Sequence, residues 1–310
     1  WSQLWLNEGF ATYYDALSHG HYYGPDQLNW QMYHNAKAVL SRKDEKKGIV
    51  CRSYEDAEDQ FTYLVYPKGA WVLHMLRSQL GAKVYRKAVT KYLQRHEFGV
   101  VETADLKLVL EEVSGRSLDR FFDQWLNGIG TPKLSLTQSW DAKNKLAKVT
   151  LKQTQKIDEK HPLFHFPLTL RFKNGKQSVD HVVAVTEKAH EFYVPLKWRP
   201  EIVRADPDYT LLATVDFKKP NAMLYSQLAD ESDMMGRVFA VQQLGKKKDQ
   251  LTVDRLKTAL TGDKHYGVRA TAAAALRSVH TSEALDALIA AREQDNAYVR
   301  KAVCDAISGF

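Results

Sequence analysis

This sequence predicts a multidomain chain of mixed α+β class in three parts. Helices are expected over residues 1–131, strands over 132–219, and helices again over 220–310. Three observations carry that expectation. Apolar residues follow a helical period up to about Gly130, a period of two after it, and a helical period again beyond Pro220. Turn-forming residues punctuate the middle part at short intervals. The last part repeats itself about every thirty residues. A length of 310 residues supports two or three cores.

In the first part, Leu106, Val109, Leu110 and Val113 are spaced as one face of an amphipathic helix. Gly81 and Gly115 fit helix stops, because glycine accepts the backbone conformation that ends a helix. Thr103 and Ser117 fit N-caps, with Asp105 and Asp119 placed to favour the helix dipole. Phe121, Phe122 and Trp125 give the next helix an aromatic face. The run from Asn127 to Pro132 then breaks the pattern.

In the second part, Lys133–Thr137, Leu146–Leu151, Phe166–Phe172 and Val179–Val185 read as strands. The segments 141–144 and 173–175 read as the turns between them. Regular short strands of this kind predict a small β-sandwich.

In the third part, Arg237, Arg269 and Arg300 recur 32 and 31 residues apart, and Leu244, Leu276 and Ile307 keep step with them. In the last two copies a Val-Arg pair enters an alanine-rich helix. This pattern resembles HEAT repeats, with a shorter period. Such repeats bury a core only by stacking on their neighbours, and they offer extended surfaces for protein contacts.

Composition narrows the function classes. The net charge is +7, but the lysines are scattered. Lys143, Lys145, Lys148, Lys152 and Lys156 read as the solvent face of strands, and Lys246–Lys248 as a loop between helices. No aromatic-rich RNA motif accompanies them, so no nucleic acid is expected as a partner. No apolar run approaches the ~20 residues of a membrane span. Cys51 and Cys304 have no CxxC partners, which leaves two isolated thiols and no thiolate zinc site. The chain opens on Trp1, and no signal pattern follows. It is expected to be a piece of a longer protein that continues past Phe310, and localisation is not legible in it.

Two segments carry chemistry. Trp5-Leu-Asn-Glu-Gly-Phe-Ala11 puts the Glu8 carboxylate near a helix start among aromatic residues. A carboxylate there is costly to bury unless something positive meets it. A metal ion is one answer and an arginine another; an exposed or ion-paired glutamate is the plain alternative. Tyr66-Pro-Lys-Gly-Ala70 puts Tyr66 at the start of a helix, since Pro67 suits a first turn. Its hydroxyl is then free to point into a cleft, or the ring is simply structural. His19 and His21 flank Gly20 in what reads as a surface turn, and His74 reads as packed against its neighbours.

Together these segments resemble the M1 (gluzincin) aminopeptidases. That family's pattern is HExxH, eighteen residues, then Glu in a W-L-N-E-G-F-A context, and later Y-x-K-G-A before an apolar helix. The likeness continues through Gly81, Tyr92, Leu93, Thr103, Asp105, Leu106 and the segment from Phe121 to Pro132. The resemblance implies a helical, thermolysin-like catalytic subdomain, then the sandwich and the HEAT-like array. It implies that Glu8 is the third zinc ligand and that Tyr66 stabilises the oxyanion. It implies peptide substrates, cut at the N-terminal peptide bond by zinc-activated water, with the helical array closing over the site.

The departure is that no HExxH occurs in the 310 residues. By the family spacing its histidines would fall about 12 and 16 residues before Trp1, with the general-base glutamate between them. The family's G-x-M-E-N segment, which grips the substrate's amine, is missing too. The chain alone is therefore expected to be inactive and to hold no tight zinc. The competing reading is a non-catalytic M1-like scaffold that binds partners through its HEAT surface. A third is a peptidase whose array also docks partners.

Overall fold

The computed structural model describes residues 1–42 and 45–310. Helices α1 (Trp5–Tyr23) and α2 (Pro25–Leu40) form an antiparallel pair turned at Gly24, whose φ is +93°. α3 (Gly69–Leu80), α4 (Ala82–Arg95), α5 (Thr103–Ser114) and the short α6 (Asp119–Phe122) complete the first helical layer. Gly81 and Gly115 end α3 and α5, as the sequence predicts.

Two local expectations change. α1 runs unbroken to Tyr23, so His19, Gly20 and His21 lie on helix and not in a turn. Gly20 is there for packing: a Cβ on it would sit 2.8 Å from the Cβ of Leu28 on α2. Thr103 is the first residue of α5 and not its cap. Glu102 takes the cap position, in a capping box with Asp105. Thr103 instead binds α1: its hydroxyl accepts from Trp5 Nε1 at 2.9 Å and donates to Gln3 Oε1 at 2.6 Å. No side chain caps α1, and this link fastens its first turn.

The strand region forms two small sheets. One has four strands and the other three. β1 (Lys133–Asp141), β2 (Leu146–Gln153) and β5 (Ala189–Pro195) pair antiparallel, and β7 (Thr214–Phe217) pairs parallel with β1. β3 (Phe166–Asn174) pairs antiparallel with β4 (Gln177–Val185) and with β6 (Ile202–Ala205). Alternation sets the buried face: Leu134 and Leu136 on β1, Val149 and Leu151 on β2, and Phe166, Leu168, Leu170 and Phe172 on β3 are all buried. The periodicity missed β5, β6 and β7. β6 is buried on both faces and so does not alternate, and β7 is only a few residues long.

Six helices follow: α7 (Asn221–Leu228), α8 (Met234–Leu244), α9 (Gln250–Gly262), α10 (Tyr266–Val279), α11 (Ser282–Ala290) and α12 (Ala297–Ile307). The repeat read from the sequence has a physical cause. Asp233, His265 and Asn296, each four residues before a repeat arginine, cap α8, α10 and α12. Each arginine reaches back to carbonyls of the loop it has just left. Arg237 donates to Asp230 and Glu231 O, Arg269 to Asp263 O, and Arg300 to Gln294 and Asp295 O. Arg237 also makes a buried pair with Asp263, at 2.7 Å.

Helix α2 joins the first helices to the last. Trp30 lies edge-on to His265 and Tyr266, and a Cβ on Gly267 would meet its ring at 2.7 Å. Gln27 Nε2 donates to the Tyr266 hydroxyl at 3.0 Å. Tyr209, in the loop after β6, packs against Trp71 of α3, Tyr33 of α2 and Phe239 of α8. Cys51 and Cys304 are both free thiols.

Candidate active site

Tyr66 lies in a π-helical turn, Leu64–Lys68, that runs straight into α3. The sequence explains the turn. Pro67 has no N–H to give the Tyr63 carbonyl four residues back, so Lys68 N–H takes that carbonyl instead, at 3.1 Å. Pro67 therefore sits inside the turn and not at a first helical position. The Tyr66 side chain is half-buried, and its hydroxyl donates to no protein acceptor among the described residues.

Glu8 lies in the first turn of α1, flanked by buried Trp5, Leu6 and Gly9. Its side chain is half-buried, and no Lys, Arg or His reaches it within ion-pair distance among the described residues. The arginine partner allowed by the sequence is therefore not what meets this carboxylate.

What holds these segments together is a glycine crossing. A Cβ on Gly9 would lie 3.0 Å from the carbonyl carbon of Gly69, and one on Gly69 would lie 3.1 Å from the Cα of Gly9. α1 and the start of α3 therefore touch backbone to backbone. Glu8 immediately precedes one glycine, and Tyr66 stands three residues before the other.

Sequence reasoning missed two supports of this crossing. The first is Lys68, which is fully buried and paired with Glu45. Glu45 Oε1 also accepts from Gly130 N at 3.0 Å, tying the exit of the helical layer to the same point. Burial holds the Lys68 ammonium below its usual pKa, and Glu45 opposes that. A lysine inside a Y-x-K-G-A motif signals nothing about a carboxylate over twenty residues away, so only folding reveals the pair. The second is His74. Its Nε2 lies 3.0 Å from the Tyr209 carbonyl, which can only accept, so Nε2 carries the proton. Nδ1 then accepts from the Tyr13 hydroxyl at 3.1 Å. Burial pushes His74 down to about 4, so it is neutral and joins α3 to α1 and to the loop after β6. His74 is packed, as its sequence suggests.

Among the described residues no group of three His, Cys, Asp or Glu side chains gathers where a metal could be held. A catalytic zinc site takes three protein ligands, and Glu8 is a single carboxylate. His19 does not supply a second ligand: it lies 3.8 Å from Asp15, one turn back on α1.

Residues 1–125 match the family described as Peptidase family M1 domain, and residues 221–308 match HEAT repeats. The chain is 31% identical over 140 residues to Aminopeptidase M1-C of Oryza sativa subsp. japonica, covering 44% of this chain and 16% of that protein. It is 25% identical over 281 residues to Tricorn protease-interacting factor F2 of Thermoplasma acidophilum, covering 84% of this chain and 35% of that one. The crystal structure of Legionella pneumophila aminopeptidase A in complex with aspartic acid has a similar fold. Its TM-score is 0.70 at 16% identity, over 99% of this chain and 35% of that chain. The matched region thus spans about a third or less of the length of these proteins.

Proposed function

We propose, from the premise that this chain joins a peptidase family M1 domain to HEAT repeats, that it serves zinc-dependent removal of N-terminal residues from peptides. One observation carries the reading. Among the described residues, a half-buried Glu8 with no cationic partner and a Tyr66 with no hydroxyl partner stand on two segments packed together at Gly9 and Gly69.

Zinc held by two imidazoles and a carboxylate supplies a water acidified to a pKa of roughly 7. The share of this chain is the rest. Glu8 offers the carboxylate ligand from α1. Tyr66 donates its phenolic proton to the oxyanion that develops on the peptide carbonyl. The glycine crossing and the Lys68–Glu45 pair keep those two groups in register, so little reorganisation is needed as charge develops. The HEAT helices, docked on α2, are the surface that limits which peptides reach the site. The same reading divides the chain near residues 131 and 219.

The 310 residues hold one such ligand and no HExxH. By themselves they are expected to bind no stoichiometric zinc and to hydrolyse nothing. The test is the coding sequence before Trp1, followed by assay of the longer product. His-Glu-x-x-His with its second His nineteen residues before Glu8 should give a protein that cleaves aminoacyl reporters. That activity should fall ~10²–10³-fold on Tyr66→Phe. Coding sequence there without both histidines sinks the enzyme reading, and the non-catalytic scaffold with its HEAT surface then stands.

A further inference from the structure

A cavity of about 210 Å³ lies between the end of α3, the link from α5 to α6 and the segment leading into β3. Neither Glu8 nor Tyr66 lines it, and it owes nothing to their assignment. Arg116, Ser117, Arg120, Gln124 and His165 line it, with Gln79 from α3.

Two arginines face it together. Arg171, Arg204 and Arg237 each meet an aspartate. Arg116 and Arg120 meet no carboxylate among the described residues. Arg116 donates to the Gln79 carbonyl at 3.0 Å, and Arg120 donates to His165 Nδ1 at 2.7 Å. No acidic side chain lines the cavity. The nearest in sequence, Asp119, is held by Lys107 and bonded to Ser117.

The frame is rigid. Gln124 is buried, its Nε2 donates to His165 O at 2.8 Å, and its Oε1 accepts from His165 N at 2.9 Å. His165 is thereby fixed against Arg120. A guanidinium only donates, so His165 Nδ1 is an acceptor and the ring is neutral. Burial and the neighbouring Arg120 both hold it below its usual pKa. Two exposed guanidinium groups with spare N–H donors thus share a recess with no counter-charge among the described residues. Arginine forks match the geometry of carboxylate and phosphate oxygens. The volume falls short of the ~300–1,000 Å³ of a site for a whole organic ligand, and so suits one head group.

We propose that this cavity binds a single oxyanion group, a phosphate or the C-terminal carboxylate of a peptide, through Arg116 and Arg120. The test titrates the 310-residue protein at constant ionic strength. One arm uses inorganic phosphate, and the other N-acetyl-dialanine with its amidated form beside it. Binding is read by calorimetry and by the His165 ring resonances. Saturable binding of either oxyanion that moves His165 is expected. It should weaken about tenfold or more in Arg116→Gln and Arg120→Gln and stay unchanged in Arg277→Gln, an exposed arginine elsewhere. Saturation by phosphate alone assigns a phosphate, and by the free acid but not its amide, a peptide terminus. Shifts that never saturate, or equal affinity in an Arg116→Gln/Arg120→Gln variant whose melting curve shows it folded, overturn the proposal.

Discussion

Gly9 of α1 and Gly69 at the head of α3 touch through their backbones, so closely that a methyl group on either would press on the other's main chain at 3.0–3.1 Å. That contact fixes the distance between the Glu8 and Tyr66 segments, which makes it the first place to test. Alanine ordinarily favours a helix over glycine by ~1 kcal/mol. Here the intruding methyl meets main chain, which cannot rotate away. Overpacking of this kind costs ~1–3 kcal/mol. Gly9→Ala is therefore expected to lower stability in urea, and Gly9→Val to lower it further. A stabilised Gly9→Ala would show that the helices are free to move apart.

Lys68 and Glu45 form a buried pair, so removing one partner should hurt more than removing the charge of both. Lys68→Met leaves Glu45 unpaired, and ~3–5 kcal/mol is the expected loss. Lys68→Met with Glu45→Gln keeps an acceptor for Gly130 N–H and should recover a large part of it. A double-mutant cycle in chemical denaturation checks this, and additive losses would refute the coupling.

His74 sets a pH dependence with a definite sign. Its folded pKa is about 4, against 6.5 in the unfolded chain. Between those values the unfolded state binds a proton that the folded state refuses. Stability is therefore expected to fall as pH drops from about 6.5 to about 4, by something on the order of 3 kcal/mol, and to level off below. Burial depresses His34 and His265 as well, so they add to the slope. The diagnostic quantity is the difference between wild type and His74→Gln, which should be less stable at pH 7 but flatter across this range.

The repeat arginines should rank by burial. Arg237 is 2% exposed, paired with Asp263 and bonded to two carbonyls. Arg237→Ala is expected to cost ~3–5 kcal/mol, because it strands Asp263 as well. Arg300 is exposed and, among the described residues, holds only its loop carbonyls. Its alanine variant should lose ~1 kcal/mol or less. Thermal melts of the two variants give the order, and equal losses would contradict it.

Much of this protein was determined by sequence alone, because periodicity and turn chemistry are local. The helix–strand–helix order, the stops at Gly81 and Gly115, and the register of Arg237, Arg269 and Arg300 all follow from residues within a turn or two of each other. The π-turn at Tyr66 is local in cause too, the absent N–H of Pro67, but the sequence read Pro67 as a first-turn residue and only the structure put it inside the turn. Glu8 and Tyr66 stood out as candidates because their motifs are contiguous. Other features were decided by tertiary structure, since their causes lie far apart along the chain. Gly20 reads as a turn until Leu28 of α2 is seen to need its missing side chain. Thr103 reads as a cap until Trp5 and Gln3 claim its hydroxyl. The Lys68–Glu45 pair and the His74 bridge leave no sequence pattern, and a glycine at position 9 permits close backbone approach without naming Gly69 as its partner. Each contact joins residues that only the packing of one helix on another brings within reach, where burial makes an unmet charge or a misplaced methyl costly.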